Sequence, residues 1–316
     1  MPAPTVWLSI SRPETRTVGS GPKRFAVLHA ADAVFEEPAN FGGHDTGFTR
    51  WGMVGEDTPG AVHTDFGICR LQPGGSVEAH VHSYEETFYI LRGELTAEVP
   101  GGSFTLAPGD YGLNPTGTQH RWRNNGDEPV EWAQMLAPQP RAAHEGDTYW
   151  VNDFGSPEPT PIDVRDPRTR RYGHIDPENM DVDKQTQDRL ALSASMRTAL
   201  LVYSGITVKM MADTDLGTQL QTMFMVQYEP DGFAGAHDHP FEETYLILDG
   251  GVDAVFDGET FRLETGDIAF AGVGCVHEFA NPGTERVRWL ETQAPAPPPR
   301  HSYRFARDWK YLKDIT

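Results

Sequence analysis

Apolar positions along the chain come in short runs that end at polar turn residues. The segments ETFYILRGELTAEV (86–99) and ETYLILDGGVDAVF (243–256) are rich in aromatic and β-branched residues and are punctuated by Gly and Asp-Gly. This pattern predicts strands, and short strands at close spacing predict a sandwich or barrel. A helical pattern occurs only in DVDKQTQDRLALSASM (181–196), which predicts one helix. The preceding GSPEPTPIDVRDPRTRRYG (155–173) is Pro-rich and polar and reads as an ordered crossover or linker. The tail APAPPPRHSYRFARDWKYL (294–312) opens with prolines that cannot sit inside a sheet, then continues with aromatics expected to pack back onto a domain. The expected fold class is all-β.

The pattern repeats. His80, His82, Glu86, Gly93, Gly109, His120 and Asn124 recur 157 residues later as His237, His239, Glu243, Gly250, Gly266, His277 and Asn281, with no gap. Pro73 and Gly75 likewise map onto Pro230 and Gly232, so about 50 residues keep register in two copies. The expected organisation is therefore an N-terminal domain at 1–145, a connector at 146–205 and a C-terminal domain at 206–316. A chain of this length buries roughly 75% of its extended surface and can build two cores.

Charge narrows the partners. With 46 acidic and 26 basic side chains the formal net charge is −20, a field that repels nucleic acid and anionic lipid. No stretch is apolar enough for a membrane span, and MPAPTVWLSISRPETRTVGS lacks the apolar run of a signal peptide. Two cysteines, Cys69 and Cys275, make no disulfide framework. These features predict a cytoplasmic protein acting on a small molecule, with no nucleic-acid or membrane partner; they leave a homo-oligomer open.

The repeated residues carry the candidate chemistry. Side chains two apart on a strand share a face, so His80 and His82 point inward together, as do His237 and His239. Glu86 and His120, with Glu243 and His277 in the second copy, would complete each set. Three neutral imidazoles and one carboxylate suit a first-row divalent ion and leave positions for water or substrate. A lone inward histidine is normally a hydrogen-bonded core residue. Six of the twelve histidines recurring at matched positions with matched glutamates argue for ligation instead.

With Gly74, His80, His82, Glu86 and Gly93, then Gly109, Pro115, Gly117, His120 and Asn124, the chain resembles the cupin superfamily in both of its motifs. The second copy resembles it too, with one residue fewer between Gly232 and His237, and with Gly272 in the proline position. The resemblance implies a two-domain cupin of tandem jelly-roll barrels with two divalent metals per chain: Fe(II), Mn(II) or Ni(II).

Cupins host dioxygenases, decarboxylases, isomerases, aminohydrolases and non-catalytic binding proteins. Oxalate decarboxylases of this type carry an arginine where Val77 and Ala234 stand, and gentisate-type ring-cleaving members typically lack the motif glutamate that Glu86 and Glu243 supply. Quercetinase-like bicupins, which keep the full ligand set, are nearest in layout. The expected function is a metal-dependent dioxygenase of a small organic substrate, phenolic or diketone, with dioxygen as co-substrate. The alternatives are a non-oxidative aminohydrolase or isomerase, or a non-catalytic binding cupin.

Trp122 and Phe279 follow their ligand histidines by two and are expected on the inward face. Phe88 and Ile90 are expected on the face of Glu86, whereas Tyr245 and Ile247 are placed opposite Glu243. Cys275 reads as a buried structural thiol. The first site is expected to turn over, with Glu86, Tyr84 and Trp122 as its catalytic group, because Pro115 fixes the turn before His120 and because Tyr84 and Trp122 carry more polar edges than Phe241 and Phe279. The competing expectation is that Gly272 opens the second site to a bulkier substrate.

Overall fold

The computed structural model describes residues 22–181, 198–201, 205–297 and 304–305, and the helix expected at 181–196 lies, apart from Asp181, outside them. Among the described residues the regular structure is almost entirely strand, with a few short 3-10 turns beside it.

In the first half, Asp65–His82 is an 18-residue strand that serves both walls of a barrel. Its first part pairs with Val130–Ala137, its last part with His120–Arg123. Together with Asp45–Val54 and their neighbours these strands curl into one 11-stranded sheet. In the second half the same course is divided into Thr222–Tyr228 and Phe233–Asp238, and the barrel consists of a seven-stranded and a five-stranded sheet. The expected tandem jelly-roll architecture is what the chain forms.

Strand alternation sorts the side chains. From Glu85–Arg92, Phe88 and Ile90 enter the first barrel with Leu71, Phe104, Trp122 and Trp132. From Glu242–Asp249, Tyr245 and Ile247 enter the second with Phe256, Phe279 and Trp289. Tyr245 and Ile247 therefore share the face of Glu243, which corrects the expectation that they oppose it: residues two and four apart on a strand must point the same way. The outward residues of both barrels, among them Phe66, Tyr111, Met135, Met211, Met223, Leu246 and Phe270, close on one another as a shared core. Its methionines fit the irregular gap between two curved surfaces.

Two arms cross between the halves. Phe25–Leu28, which precedes the first copy, pairs antiparallel with Ile268–Ala271 of the second. Tyr172–His174, which precedes the second copy, pairs with Asp110–Asn114 of the first. The first arm accounts for Gly272. Its N–H donates to the Arg24 carbonyl at 2.7 Å, a bond proline cannot make. A Cβ there would also lie 2.9 Å from Arg24 O and 3.0 Å from Gly60 O. Gly272 admits a strand and does not open the second site. Of the tail, Arg304–Phe305 pairs with Phe233–Asp238, and the rest beyond residue 297, with its other aromatics, lies outside the described residues. Among the described residues no helix is long and apolar enough to cross a membrane.

Candidate metal centres

Each centre forms where three strands bring three histidines and a glutamate into one end of a barrel. The register places His80 beside His120 and His237 beside His277. A register shift after Val77, and another after Ala234, re-aims the strand just before the ligands. All eight residues are buried.

The imidazoles are held in one orientation by local backbone. Nδ1 of His80, His82 and His120 lies 2.8, 2.7 and 2.9 Å from the carbonyls of Glu78, Tyr84 and Thr118. The second centre repeats this, with His237, His239 and His277 at 2.8, 2.7 and 3.0 Å from Gly235, Phe241 and Cys275. A carbonyl can only accept, so each Nδ1 carries the proton and each Nε2 presents a lone pair inward. Stacking adds to the hold: His82 lies on Tyr84 with centroids 4.1 Å apart, and His239 on Phe241 at 4.0 Å.

The inward atoms converge. Ligand atoms of His82, Glu86 and His120 lie within 4.8 Å of one another, as do those of His237, His239 and His277. Glu86 Oε2 is 3.4 Å from His82 Nε2 and 3.2 Å from His120 Nε2. Glu243 Oε2 is 2.7 Å from His239 Nε2 and 3.4 Å from His277 Nε2. His80 completes the first set, its ring 4.2 Å from that of His120.

Protonation states match the ligand roles. Burial, then the neighbouring His120, drives the His80 imidazolium well below its usual range, and burial with His277 brings His237 down to about 4. Burial alone would raise Glu86, but the adjoining His120 and His82 rings outweigh it and the carboxyl stands well below its usual range. Neutral imidazoles around an anionic carboxylate are the form a divalent ion requires. His120 Nε2 is buried and makes no hydrogen bond, as expected of an atom reserved for an ion. The residues fit a bound divalent metal in both halves.

The supporting residues differ between the centres. Glu86 Oε1 accepts from Gln134 Nε2 at 2.6 Å and Oε2 from Asn114 at 2.9 Å. Glu243 Oε1 accepts from Gln293 at 2.6 Å, and its Oε2 accepts from the Tyr245 hydroxyl, which is also 3.0 Å from His277 Nε2. Glu291 is buried beside this centre and accepts from Trp289 Nε1 at 2.9 Å. Burial, then the Glu243 charge, lifts Glu291 well above the carboxyl range, so Glu243 is the anion and Glu291 the neutral acid.

Tyr84 turns its hydroxyl to Thr148 Oγ1 at 2.9 Å, away from the ligands, and lends them the face of its ring. Trp122 sits in the barrel core, 5.6 Å from the His120 ring. Cys275 is fully buried, its thiol pushed up to about 12 by burial, as a structural cysteine would be.

Sequence reading missed Gln134, Gln293, Asn114 and Glu291. Correct strand phase would have found Tyr245. The two glutamines carried no signal, because they occupy non-equivalent places in the repeat.

Comparison with known proteins agrees with this picture. The cupin domain model matches residues 67–136 and 224–292. Over 91 residues the chain is 33% identical to the polyketide synthase protein CurC of Streptomyces cyaneus, a match spanning 28% of this chain and 59% of CurC. Over 105 residues it is 29% identical to the tetracenomycin polyketide synthase protein TcmJ of Streptomyces glaucescens, spanning 32% of this chain and 70% of that one. In fold it is similar to salicylate 1,2-dioxygenase of Pseudoaminobacter salicylatoxidans in its gentisate adduct (TM-score 0.63, 15% identity, 87% of this chain and 83% of that one). It is also similar to oxalate decarboxylase of Bacillus subtilis (TM-score 0.60, 16% identity, 95% and 85%). Each matched segment holds one complete ligand set, and the chain carries two cupin domains.

Proposed function

We propose that the chain is a metal-dependent oxygenase acting on a small anionic aromatic or diketone molecule, with turnover at the first centre. The functional halves are 1–145 and 206–316, joined by 146–205, with the arm at Phe25–Leu28 serving the second half. The observation that carries this reading is the donor set itself: three imidazoles presenting Nε2 inward and one anionic carboxylate, buried against aromatic walls. When bound, a redox-capable divalent ion in such a site supplies Lewis acidity and a meeting point for an organic anion and dioxygen.

The chain's own residues would do the rest. Thr118 and Glu78 carbonyls hold the imidazole tautomers, Gln134 holds the outer carboxylate oxygen, and Tyr84 and Trp122 wall the ligands off from water. Beside Asn114, whose amide touches Glu86, lies a cavity of about 370 Å³ bordered by Thr118 and by Arg168, Arg170 and Arg171 from the connector. Three arginines on a chain of net charge −20 favour a negatively charged ligand at that point. A carboxylate, phenolate or enolate of ordinary metabolite size fits this space. Similarity to a salicylate 1,2-dioxygenase and to polyketide synthase proteins supports the reading.

The test is oxygen uptake by protein reconstituted with iron(II), manganese(II) or nickel(II), in the presence of candidate phenols and β-diketones. Uptake that is abolished in His82→Ala and retained in His239→Ala is expected. Ammonia release or isomerisation under argon without oxygen uptake would instead assign a non-oxidative reaction.

A further inference from the structure

We propose that the phenolic oxygen of Tyr245 is a fifth protein donor to the ion of the second centre, a donor the first centre lacks. In the first copy the equivalent residue, 157 positions earlier, is Phe88, which points the same way without an oxygen. This inference rests on the eight His and Glu residues being metal ligands, and not on which half turns over.

The argument begins with spacing. Adjacent donors around an ion at ~2.1 Å stand ~3.0 Å apart in octahedral and ~3.4 Å apart in tetrahedral arrangement. The donors of the second centre lie close to these separations: 2.7 Å from Glu243 Oε2 to His239 Nε2, and 3.4 Å to His277 Nε2. Tyr245 Oη stands beside them, 3.0 Å from His277 Nε2 and donating its proton to Glu243 Oε2.

The choice of carboxylate oxygen is the second observation. The outer oxygen, Oε1, is taken by Gln293 at 2.6 Å. Tyr245 reaches Oε2, the oxygen that faces the imidazoles.

Rigidity is the third. The ring is 1% exposed and packs against Phe279 at 4.7 Å, so the hydroxyl is held where it stands. On ligation a bond forms between the ion and Oη while the phenol proton passes to solvent. The second centre would then offer its ion five protein donors and one position fewer for an exogenous ligand than the first.

A tyrosinate bound to iron(III) absorbs visible light, and this separates direct ligation from hydrogen bonding to Glu243. The full-length protein is loaded anaerobically with iron(II), its metal content is measured, and it is oxidised with ferricyanide. A tyrosinate-to-iron(III) charge-transfer band is expected, retained in His82→Ala and lost in Tyr245→Phe. Second-site iron affinity in Tyr245→Phe should fall about 10- to 100-fold. Two ions per chain with no band, or a band that survives in Tyr245→Phe, overturns the proposal while leaving the metal reading intact. Absence of iron from the second centre overturns both.

Discussion

At the residue scale, the ligands and their supports come from different layers of information. His80, His82, Glu86 and His120 are legible in the sequence because a repeat at constant offset makes them stand out from ordinary core histidines. The amides that hold the glutamates are not. Gln134 holds Glu86, whereas the residue 157 positions on is Glu291, and Gln293 performs the task for Glu243. The same chemistry is reached from two strand positions, so no repeat exposes it. Because Gln134 Nε2 is 2.6 Å from Glu86 Oε1, Gln134→Ala should leave that oxygen without its buried donor. Affinity of the first centre should fall about 10- to 100-fold with the second unchanged, as read by competition with a chromophoric chelator.

At the element scale, the two arms explain residues that the motifs alone leave unexplained. The arm at Tyr172–His174 lies so close to motif residue Gly109 that a Cβ there would be 2.9 Å from the Ile175 carbonyl, and Gly109 has φ +93°. Each arm ends in a histidine on an equivalent aspartate: His174 Nδ1 is 2.7 Å from Asp110, and His29 Nδ1 is 3.1 Å from Asp267. Sequence reading took 155–173 as an ordered crossover or linker but could not find its strands. Two- and three-residue strands have no periodicity, and their pairing is decided by the partner surface. The hydrogen bond to Asp110 outweighs burial and, with Asp176, raises His174 to about 9. A raised pKa stabilises fully below the free-imidazole value of ~6.5 and loses that contribution as pH rises through the folded value. Docking of the arm should therefore weaken by about 1–2 kcal/mol between pH 6.5 and 9.5. Hydrogen exchange of residues 172–174 measures this, and His174→Gln should flatten the profile.

At the scale of the whole molecule, the halves hold one another through a reciprocal contact at the glutamates that precede the ligands. Glu242 sits in the second barrel and accepts the backbone N–H groups of Val62, His63 and Thr64 from the first at 2.7–3.1 Å. Glu85 sits in the first barrel and accepts those of Gln219 and Leu220 from the second at 2.8 and 2.9 Å. The two glutamates are 157 residues apart, and so are the loops they bind. Both carboxylates are buried, at 3% and 0% exposure, beside the shared apolar core. Removing either would strand two or three backbone donors away from water, which costs about 2–4 kcal/mol. Glutamine cannot substitute fully, because its amide nitrogen would confront a donor with a donor. The chain should accordingly unfold in urea as one cooperative unit, with fluorescence and circular dichroism transitions coincident. Glu85→Ala and Glu242→Ala should each lower the midpoint, with glutamine at these positions recovering less than half of the loss. Two separate transitions in the unaltered protein, or an unchanged midpoint in both alanine variants, would show that the halves are independent and the reciprocal carboxylates carry no stability.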